Sequence, residues 1–417
     1  MFLAAIACFA ITANAQTKEE KAAMKEAEKV VKKAQSEYEM GMPNPQYGRK
    51  EVKFEKIESA KALIDQALAN QYTKEDKQTY KVAADIAAQY YTKYDNQIKA
   101  GDESVKPQFL EVSQDLVNYC IKYDDLYNAD PKKKEAEYKT QHTYYQNLAT
   151  NPAIQCLQAS QNLSTSDSQE DLKKGAALAS TFVDALTKSH LFSDFQNKSK
   201  DEWITYAKAF KAQSLQGIEG TSAAEVEAAY NELVGTKYET TAYSALGNYF
   251  RDRDQAKYIE YLKKGMEKAD ADTYPNFAFM IMQNQFQNKQ YDECLKTIEE
   301  IKAKCPDNEN TINAYLMQGQ ILFEQKQYDK AEATFKEAVE KYPNDDRAIT
   351  MPAKSAWMKA QASGNKTDMQ HAIDLFKDLQ AKYPNESEYW GEPLYILYNN
   401  TNNTAMRDKY KKYYNVK

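Results

Sequence analysis

The fold is decided by residues 310–343, which read NTINAYLMQGQILFEQKQYDKAEATFKEAVEKYP. Apolar and small residues recur there at spacings of three and four: Tyr315, Gly319 and Leu322, then, after a turn at 325–327, Tyr328, Ala331, Phe335 and Ala338. This spacing predicts two amphipathic helices that pack against each other. Gly319 and Ala331 are small enough to let the two helices approach closely. Pro343 cannot continue a helix and therefore ends the second one.

The same helix–turn–helix unit occurs on both sides of this stretch. Residues 288–292 read NKQYD and align without a gap to QKQYD at 325–329, an offset of 37 residues. Downstream, the ending Lys-Tyr-Pro-Asn of residues 341–344 recurs at 382–385, an offset of 41 residues. A helical pair that recurs at such a period is the signature of a repeat array.

At these residues the chain resembles the tetratricopeptide repeat family, whose pattern is W-x2-L-G-x2-Y, then A-x3-F, then P. The unit at 311–343 fits this pattern, with Gln318 in place of Leu. In the unit before it, Met282 occupies a position that belongs to a small residue. An upstream unit opens with Tyr in place of Trp: Tyr243, Leu246, Gly247 and Phe250. The resemblance implies an all-α fold, an α-solenoid of antiparallel helix pairs in a right-handed superhelix.

Composition agrees with a helical protein and gives no reason to expect nucleic-acid binding. Of 417 residues, 28% are charged and 42% hydrophobic, with only 12 Gly and 11 Pro, which argues against a turn-rich β architecture. The net charge is −6, so no basic surface is expected. The 32 Tyr residues fit helix interfaces where one edge of the ring stays in water.

Helical periodicity also extends over most of the remaining chain. Helices are predicted at 16–39, 52–69, 77–98, 107–127, 172–191, 201–216, 226–234, 386–398 and 404–414, with further helices starting at Asp130-Pro131 and Asn151-Pro152. The first of these is expected to be solvated, and the Gly- and Pro-rich residues 40–49 are expected to form a loop or linker.

The domain prediction has three parts. We expect a signal peptide at 1–15, an N-terminal helical region at 16–200, and a tetratricopeptide array at 201–417 that ends in a polar capping helix. The N-terminal region contains degenerate repeat-like pairs, and a separate helical bundle is the alternative.

Residues 1–15 are apolar and end in Ala13-Asn14-Ala15, a small-x-small cleavage site. This pattern predicts a secretory signal cleaved after Ala15, so that the protein is periplasmic or otherwise exported. The usual basic segment is missing, which points to a true start upstream of Met1. The alternatives are a disordered apolar N-terminus of a cytosolic protein and lipidation at Cys8. No other stretch is long and apolar enough to span a bilayer.

Removal of the signal leaves four cysteines. Cys294 and Cys305 cannot pair within one helix, because eleven residues rise about 16 Å whereas bridged Cα atoms lie within about 7 Å. Cys294 aligns with Ala331 and is predicted to be a packed core thiol. A disulfide between Cys120 and Cys156 is possible, but no spacing rule supports it.

No catalytic, cofactor or metal-binding pattern is present. The three histidines, His142, His190 and His371, are far apart in sequence, and no zinc-protease, CxxC, nucleophile-elbow or phosphate-loop motif occurs. His371 is expected in a turn at the surface. The sequence therefore predicts a protein that is not an enzyme and has no metal site and no cofactor.

The family resemblance instead implies a binding groove. In tetratricopeptide repeats the first helix of each pair lines the concave surface, and binding residues follow the aromatic, Gly and Tyr positions of the motif. The matching positions are Ser244, Asn248 and Arg251, then Phe279, Gln283 and Phe286, then Leu316, Gln320 and Phe323. Carboxamides beside aromatic rings suit an extended peptide or a partner helix. The alternative is that the phenylalanines pack against the neighbouring repeat.

We therefore expect a non-enzymatic scaffold of the cell envelope that binds a protein or peptide through this groove. The partner is expected to be an envelope protein or peptide, with no nucleic acid and no transmembrane segment after signal removal. The alternative is an outer-membrane-associated glycan- or ligand-binding protein for nutrient uptake. Scarce Trp, three residues, argues against that alternative.

Overall fold

The computed structural model describes residues 17–414, and these are α-helical apart from connecting turns and an isolated bridge between Asn44 and Arg49. This confirms the all-α prediction. The residues divide into two compact units, the first ending at Tyr238 and the second beginning at Glu239. Across 17–414, none of the helices combines the length and apolarity needed to span a membrane. The predicted signal peptide, residues 1–15, lies outside the described residues.

The first unit contains eight α-helices among its described residues. They are α1 (Lys18–Gly41), α2 (Phe54–Ala69), α3 (Lys77–Lys99), α4 (Lys106–Asn128), α5 (Glu135–Leu163), α6 (Gln169–Lys188), α7 (Lys200–Gly217) and α8 (Ala223–Asn231). Each packs against its neighbours in sequence. The largest core lies around α4, α5 and α6 and contains Leu116, Tyr123, Tyr145 and Phe182. Tyr145 is buried, and its hydroxyl reaches Asp85 at 2.8 Å.

The second unit consists of shorter helices that form consecutive pairs, apart from the four-residue α15. They are α9 (Glu239–Phe250), α10 (Gln255–Lys268), α11 (Tyr274–Gln287), α12 (Tyr291–Lys304), α13 (Ile312–Glu324), α14 (Tyr328–Lys341), α15 (Asp346–Ile349), α16 (Met351–Ser363), α17 (Lys366–Lys382), α18 (Gly391–Asn400) and α19 (Thr404–Tyr410). Helices α13 and α14 confirm the pair predicted from residues 310–343. The terminal α19 buries Tyr410 against Trp390, with ring centroids 6.2 Å apart, while its one lysine, Lys409, is exposed.

The structure differs from the predicted division of the chain. The prediction placed the boundary between residues 200 and 201, one residue into α7, whereas the first compact unit ends after α8, at Tyr238. The reason is packing, because α7 lies against α6 and α5 and α8 lies against α7.

Three local predictions in the first unit are wrong. Helix α1 is not simply solvated, because Val31 and Ala34 are buried in a core shared with α2 and α3. Asp130-Pro131 does not start a helix: Asp130 accepts the amide of Lys132 in a turn, and α5 begins at Glu135. Nor does Pro152 start a new helix, since α5 continues through it. One missing amide donor costs one helical hydrogen bond, and the packing of the buried Pro152 region offsets that loss.

Two glycines in the second unit set the distance between its helices. A Cβ at Gly319 of α13 would overlap the ring of Phe335 on α14, and a Cβ at Gly265 of α10 would overlap the ring of Phe277 on α11. Phe335 is fully buried. The close approach predicted from Gly319 is therefore present and is made against an aromatic ring. A glycine therefore permits the close contact within the α13–α14 pair, and another permits it between α10 and α11, which belong to successive pairs.

The turns inside the helix pairs share a strained backbone position. Lys289, Lys326 and Asn402 have φ values of 57°, 59° and 57°, in the left-handed region that favours glycine. In the two lysine turns, the amides of the lysine and of the next residue donate to carbonyls of the preceding helix at 2.9 and 2.8 Å. This is the hydrogen-bond pattern of a helix C-cap that ends in a left-handed residue.

Replacement of Gly319 should separate the helices of the pair. We expect Gly319→Ala to lower the free energy of unfolding by about 1–3 kcal/mol, because the new methyl group has no space beside the Phe335 ring. Urea denaturation measures this. Gly247→Ala is the matched control, since its Cβ would meet only the flexible end of Leu262 at 2.9 Å. Equal stability of the two variants would contradict the role of the glycine–ring contact.

Relief of the strained turn should have the opposite effect. We expect Lys326→Gly to stabilise the protein by about 0.5–1 kcal/mol, because glycine adopts positive φ without the steric cost paid by lysine. The control Lys296→Gly, at an exposed position inside α12, should lose about 1 kcal/mol. A lower urea midpoint for Lys326→Gly would show that the turn is not strained.

Candidate functional site

Helices α11 and α13 bring five of the six residues predicted on them to one cavity. Gln283 follows Phe279 by four residues and Phe286 follows Gln283 by three, so these side chains share one face of α11. The cavity has a volume of about 420 Å³. Its lining consists of Phe279, Met282, Gln283, Phe286, Asn313, Leu316, Met317 and Gln320. We call this the α11–α13 cavity.

The α11–α13 cavity combines apolar walls with exposed carboxamides. Phe279, Phe286 and Leu316 are half-buried, and Gln283 and Gln320 are exposed. None of the eight lining residues carries a charge at neutral pH. A surface of this kind can cover apolar side chains of a ligand and hydrogen-bond its backbone, because a carboxamide both donates and accepts.

The phenylalanines serve the fold and the cavity to different extents. Phe286 lines the cavity and also contacts Tyr291 at the start of α12, with ring centroids 5.8 Å apart. Phe323 is not part of the lining. Its ring packs on Phe335 at 5.6 Å and on Tyr328 at 6.0 Å, both on its partner helix α14. The structure thus places Phe323 in the packing of its own pair.

A second cavity, of about 390 Å³, lies beside α9 and the start of α11. Ser244 and Asn248 line it together with Thr273 and Asn276. Arg251 lines neither cavity. Arg251 lies just after α9, and its guanidinium donates to the side chain of Asn248 on α9 at 2.6 Å. Seven of the nine predicted residues therefore line a cavity, and Arg251 and Phe323 do not.

Three lining residues of the α11–α13 cavity escaped the sequence prediction: Met282, Asn313 and Met317. Each lies three residues from a predicted residue on its helix, so helical spacing could have found them. Asn313 accepts a hydrogen bond at 2.7 Å from Arg347, which lies in α15. That interaction holds the Asn313 side chain in place at the edge of the cavity.

A polar cluster in the first unit was missed entirely. His142 on α5 and His190, just after α6, both approach the carboxylate of Asp124 on α4, at 2.8 and 3.0 Å from their Nδ1 atoms. The hydroxyl of Tyr138 lies 2.9 Å from Nδ1 of His190. Asp194 faces the other nitrogen of His142 at 3.3 Å. The histidines are far apart in sequence but adjacent in space, because three helices pack together here.

The contacts within the cluster shift the pKa values of His142, Tyr138 and Asp194. Burial lowers the pKa of His142, but its hydrogen bonds to Asp124 and Asp194 outweigh burial, so the pKa is raised above the ordinary value. Burial and the Asp124 charge raise the pKa of Tyr138. The pKa of Asp194 is lowered, first by the hydrogen bond from Gln146 and then by His142. The Asp124 side chain is almost completely buried among these neighbours.

The third histidine, His371, is at the surface as expected, but it lies inside α17 and not in a turn. Its Nε2 is 3.0 Å from the carboxylate of Glu332 on α14. His371 is exposed, whereas Glu332 is buried and also pairs with Lys336 at 2.6 Å.

All four cysteines in the described residues are buried free thiols, so Cys120 and Cys156 are not joined. Burial raises the pKa of Cys156 to about 12 and that of Cys294 to about 11. Cys294 donates to the carbonyl of Met282 at 3.4 Å, which confirms the packed core thiol. Thiols with raised pKa values are poor nucleophiles at neutral pH.

Comparison with known proteins bears on the second unit. Residues 283–344 match the tetratricopeptide repeat family. This segment runs from α11 to the end of α14 and includes Gln283, Phe286, Leu316 and Gln320. The resemblance noted at residues 243–250 lies outside the matched segment and stays a prediction. Repeats of this family are typically non-catalytic and bind proteins.

No curated protein matches the sequence. Among solved structures, the crystal structure of the yeast Tom70 is similar over 91% of this chain and 91% of its own, at 13% identity and a TM-score of 0.32. A likeness at that level carries no argument about fold or partner, and the helix pairs of the second unit stand on the structure itself.

Proposed function

We propose that the second unit is a non-enzymatic scaffold that binds a protein or peptide partner, with the α11–α13 cavity as the main contact. One observation carries the proposal: residues from two successive repeats, chosen by motif position alone, line one uncharged cavity with apolar walls and exposed carboxamides. The match of residues 283–344 to a protein-binding repeat family supports it.

The chemistry of the cavity favours one kind of occupant. Its lining has no Lys or Arg to capture a terminal carboxylate or a phosphate, and no acidic residue to attract a basic peptide. An uncharged apolar segment fits better, with its side chains on Phe279, Phe286 and Leu316 and its backbone on Gln283 and Gln320. Because the contact is uncharged, binding should depend little on salt.

A photocrosslinker at Gln283 or Gln320 in the full chain should join one dominant partner. The control position is Lys296, which is exposed on α12. We expect Gln283→Ala with Gln320→Ala to weaken binding of that partner by roughly tenfold, because two hydrogen bonds of about 0.5–1.5 kcal/mol each are lost. Binding should be equal in 50 and 500 mM NaCl.

The double glutamine variant is a fair test because both side chains are exposed and outside the core. Circular dichroism should show an unchanged helical signal. Equal crosslinking from Lys296, or undiminished binding by the double variant, would contradict the assignment of the cavity.

We also propose that the protein acts in the cell envelope after export. The apolar run at 1–15 and its Ala13-Asn14-Ala15 ending support this location. The partner would then be an envelope protein or peptide.

Mass spectrometry of the mature N-terminus tests the proposed location. We expect the chain expressed with its native start to begin at Gln16 and to fractionate with exported proteins. Replacing Ala13 and Ala15 with bulky residues should block cleavage, because signal cleavage requires small side chains at these positions. An uncleaved chain in the cytosolic fraction would overturn the location and leave the groove proposal standing.

A further inference from the structure

We propose that Asp124, His142 and His190 bind one divalent transition-metal ion of the Zn²⁺ class, with the hydroxyl of Tyr138 at the fourth position. The three residues place one donor atom each within 4.8 Å of one another. They come from α4, from α5 and from the segment after α6. This site is in the first unit and does not depend on the proposed function of the second.

The donor atoms lie close enough together to surround one ion. Oδ1 of Asp124 lies 2.8 Å from Nδ1 of His142, and Oδ2 lies 3.0 Å from Nδ1 of His190. The Tyr138 hydroxyl lies 2.9 Å from Nδ1 of His190, 3.4 Å from Nδ1 of His142 and 3.3 Å from Asp124. In a tetrahedral zinc site with bonds of about 2.0–2.1 Å, donor atoms stand about 3.3 Å apart. Outward shifts of a few tenths of an ångström would therefore make room for the ion.

The donor set selects the metal. Two imidazole nitrogens and one carboxylate oxygen suit Zn²⁺ and its neighbours, because Ca²⁺ and Mg²⁺ prefer six or more oxygen ligands. No thiol is part of the cluster, since the four cysteines of the described residues lie in apolar cores. The ion would also balance the charge of the buried Asp124 carboxylate.

Groups around the cluster hydrogen-bond to both histidines, as groups around a metal site do for its ligands. Once Nδ1 of His142 faces the metal, its Nε2 keeps the proton and can donate to Asp194, which lies 3.3 Å away. Gln146 holds Asp194 in turn, through a hydrogen bond of 2.8 Å. The backbone amide of His190 donates to Asp125 at 3.4 Å. Carboxylates that orient ligating histidines in this way fix the ring and its tautomer.

A metal ion could reach the cluster from solvent through its exposed side, at His190. The Asp124 side chain is 2% exposed and His142 10%, whereas the His190 side chain is 41% exposed. An ion would enter past His190 and become enclosed by α4 and α5. Since the ligands come from three parts of the chain, binding should hold these helices together and raise the melting temperature.

The competing interpretation is a hydrogen-bonded network that holds a proton and no metal. Metal stoichiometry separates the two. The full chain is stripped with EDTA, dialysed against Zn²⁺ and measured by elemental mass spectrometry. Substoichiometric binding, or no rise in melting temperature with Zn²⁺, would overturn the proposal. One ion per chain with a raised melting temperature supports it.

Variants locate the ion. His190→Ala should weaken Zn²⁺ binding at least about 100-fold, more than the about 10- to 100-fold carried by outer-shell partners. His371→Ala is the matched control, because His371 is also a surface histidine beside a carboxylate, and it should bind normally. Circular dichroism confirms the fold of both. Equal affinity of His190→Ala and the unchanged chain would place the ion elsewhere.

Co²⁺ tests the fourth position. The Co²⁺-loaded chain should show the visible absorption of a tetrahedral ion, and Tyr138→Phe should change that spectrum while retaining bound metal. An identical spectrum in Tyr138→Phe would overturn the assignment of the hydroxyl as the fourth ligand.

Discussion

The second unit depends on the contact between a glycine of one helix and an aromatic ring of the next. At Gly319 the absence of a Cβ lets the Phe335 ring lie on the backbone of α13, and Gly265 does the same for Phe277 between α10 and α11. Close packing at these points brings helices near enough to exclude water and to form dispersion contacts along their length. A side chain at either glycine would push the two contacting helices apart.

The first unit obtains its packing by other means. Its helices are longer, and the core around α4, α5 and α6 contains several tyrosines, which bury the ring while the hydroxyl reaches a polar partner. Tyr145 reaches Asp85, and Tyr138 reaches the cluster around Asp124. Since a buried carboxylate such as Asp124 requires compensation, the polar partners are part of the core.

Helix positions and the repeat pairs could be predicted from sequence because they rest on local signals. The spacing of Gly319, Phe335 and Pro343 predicted α13 and α14, and motif position identified Gln283 and Gln320. Pro152 misled the prediction because a proline is a local helix-breaker, whereas its tolerance depends on tertiary packing. The cluster of His142 and His190 could not be found, because it exists only once α4, α5 and α6 have packed.

The α11–α13 cavity shows why the binding surface and the fold cannot be fully separated. Phe286 is half-buried, lines the cavity and also contacts Tyr291 of the partner helix. Its ring must be held in place by the pair, and the same packing keeps part of it available to a ligand. Gln283 and Gln320 carry no such double role, since both are exposed. Positions 283 and 320 can therefore carry different residues for different partners without disturbing the fold. The packing of the repeat, in contrast, constrains Phe286. Specificity in this unit should thus reside in the polar residues, and the apolar walls should supply affinity for many apolar segments.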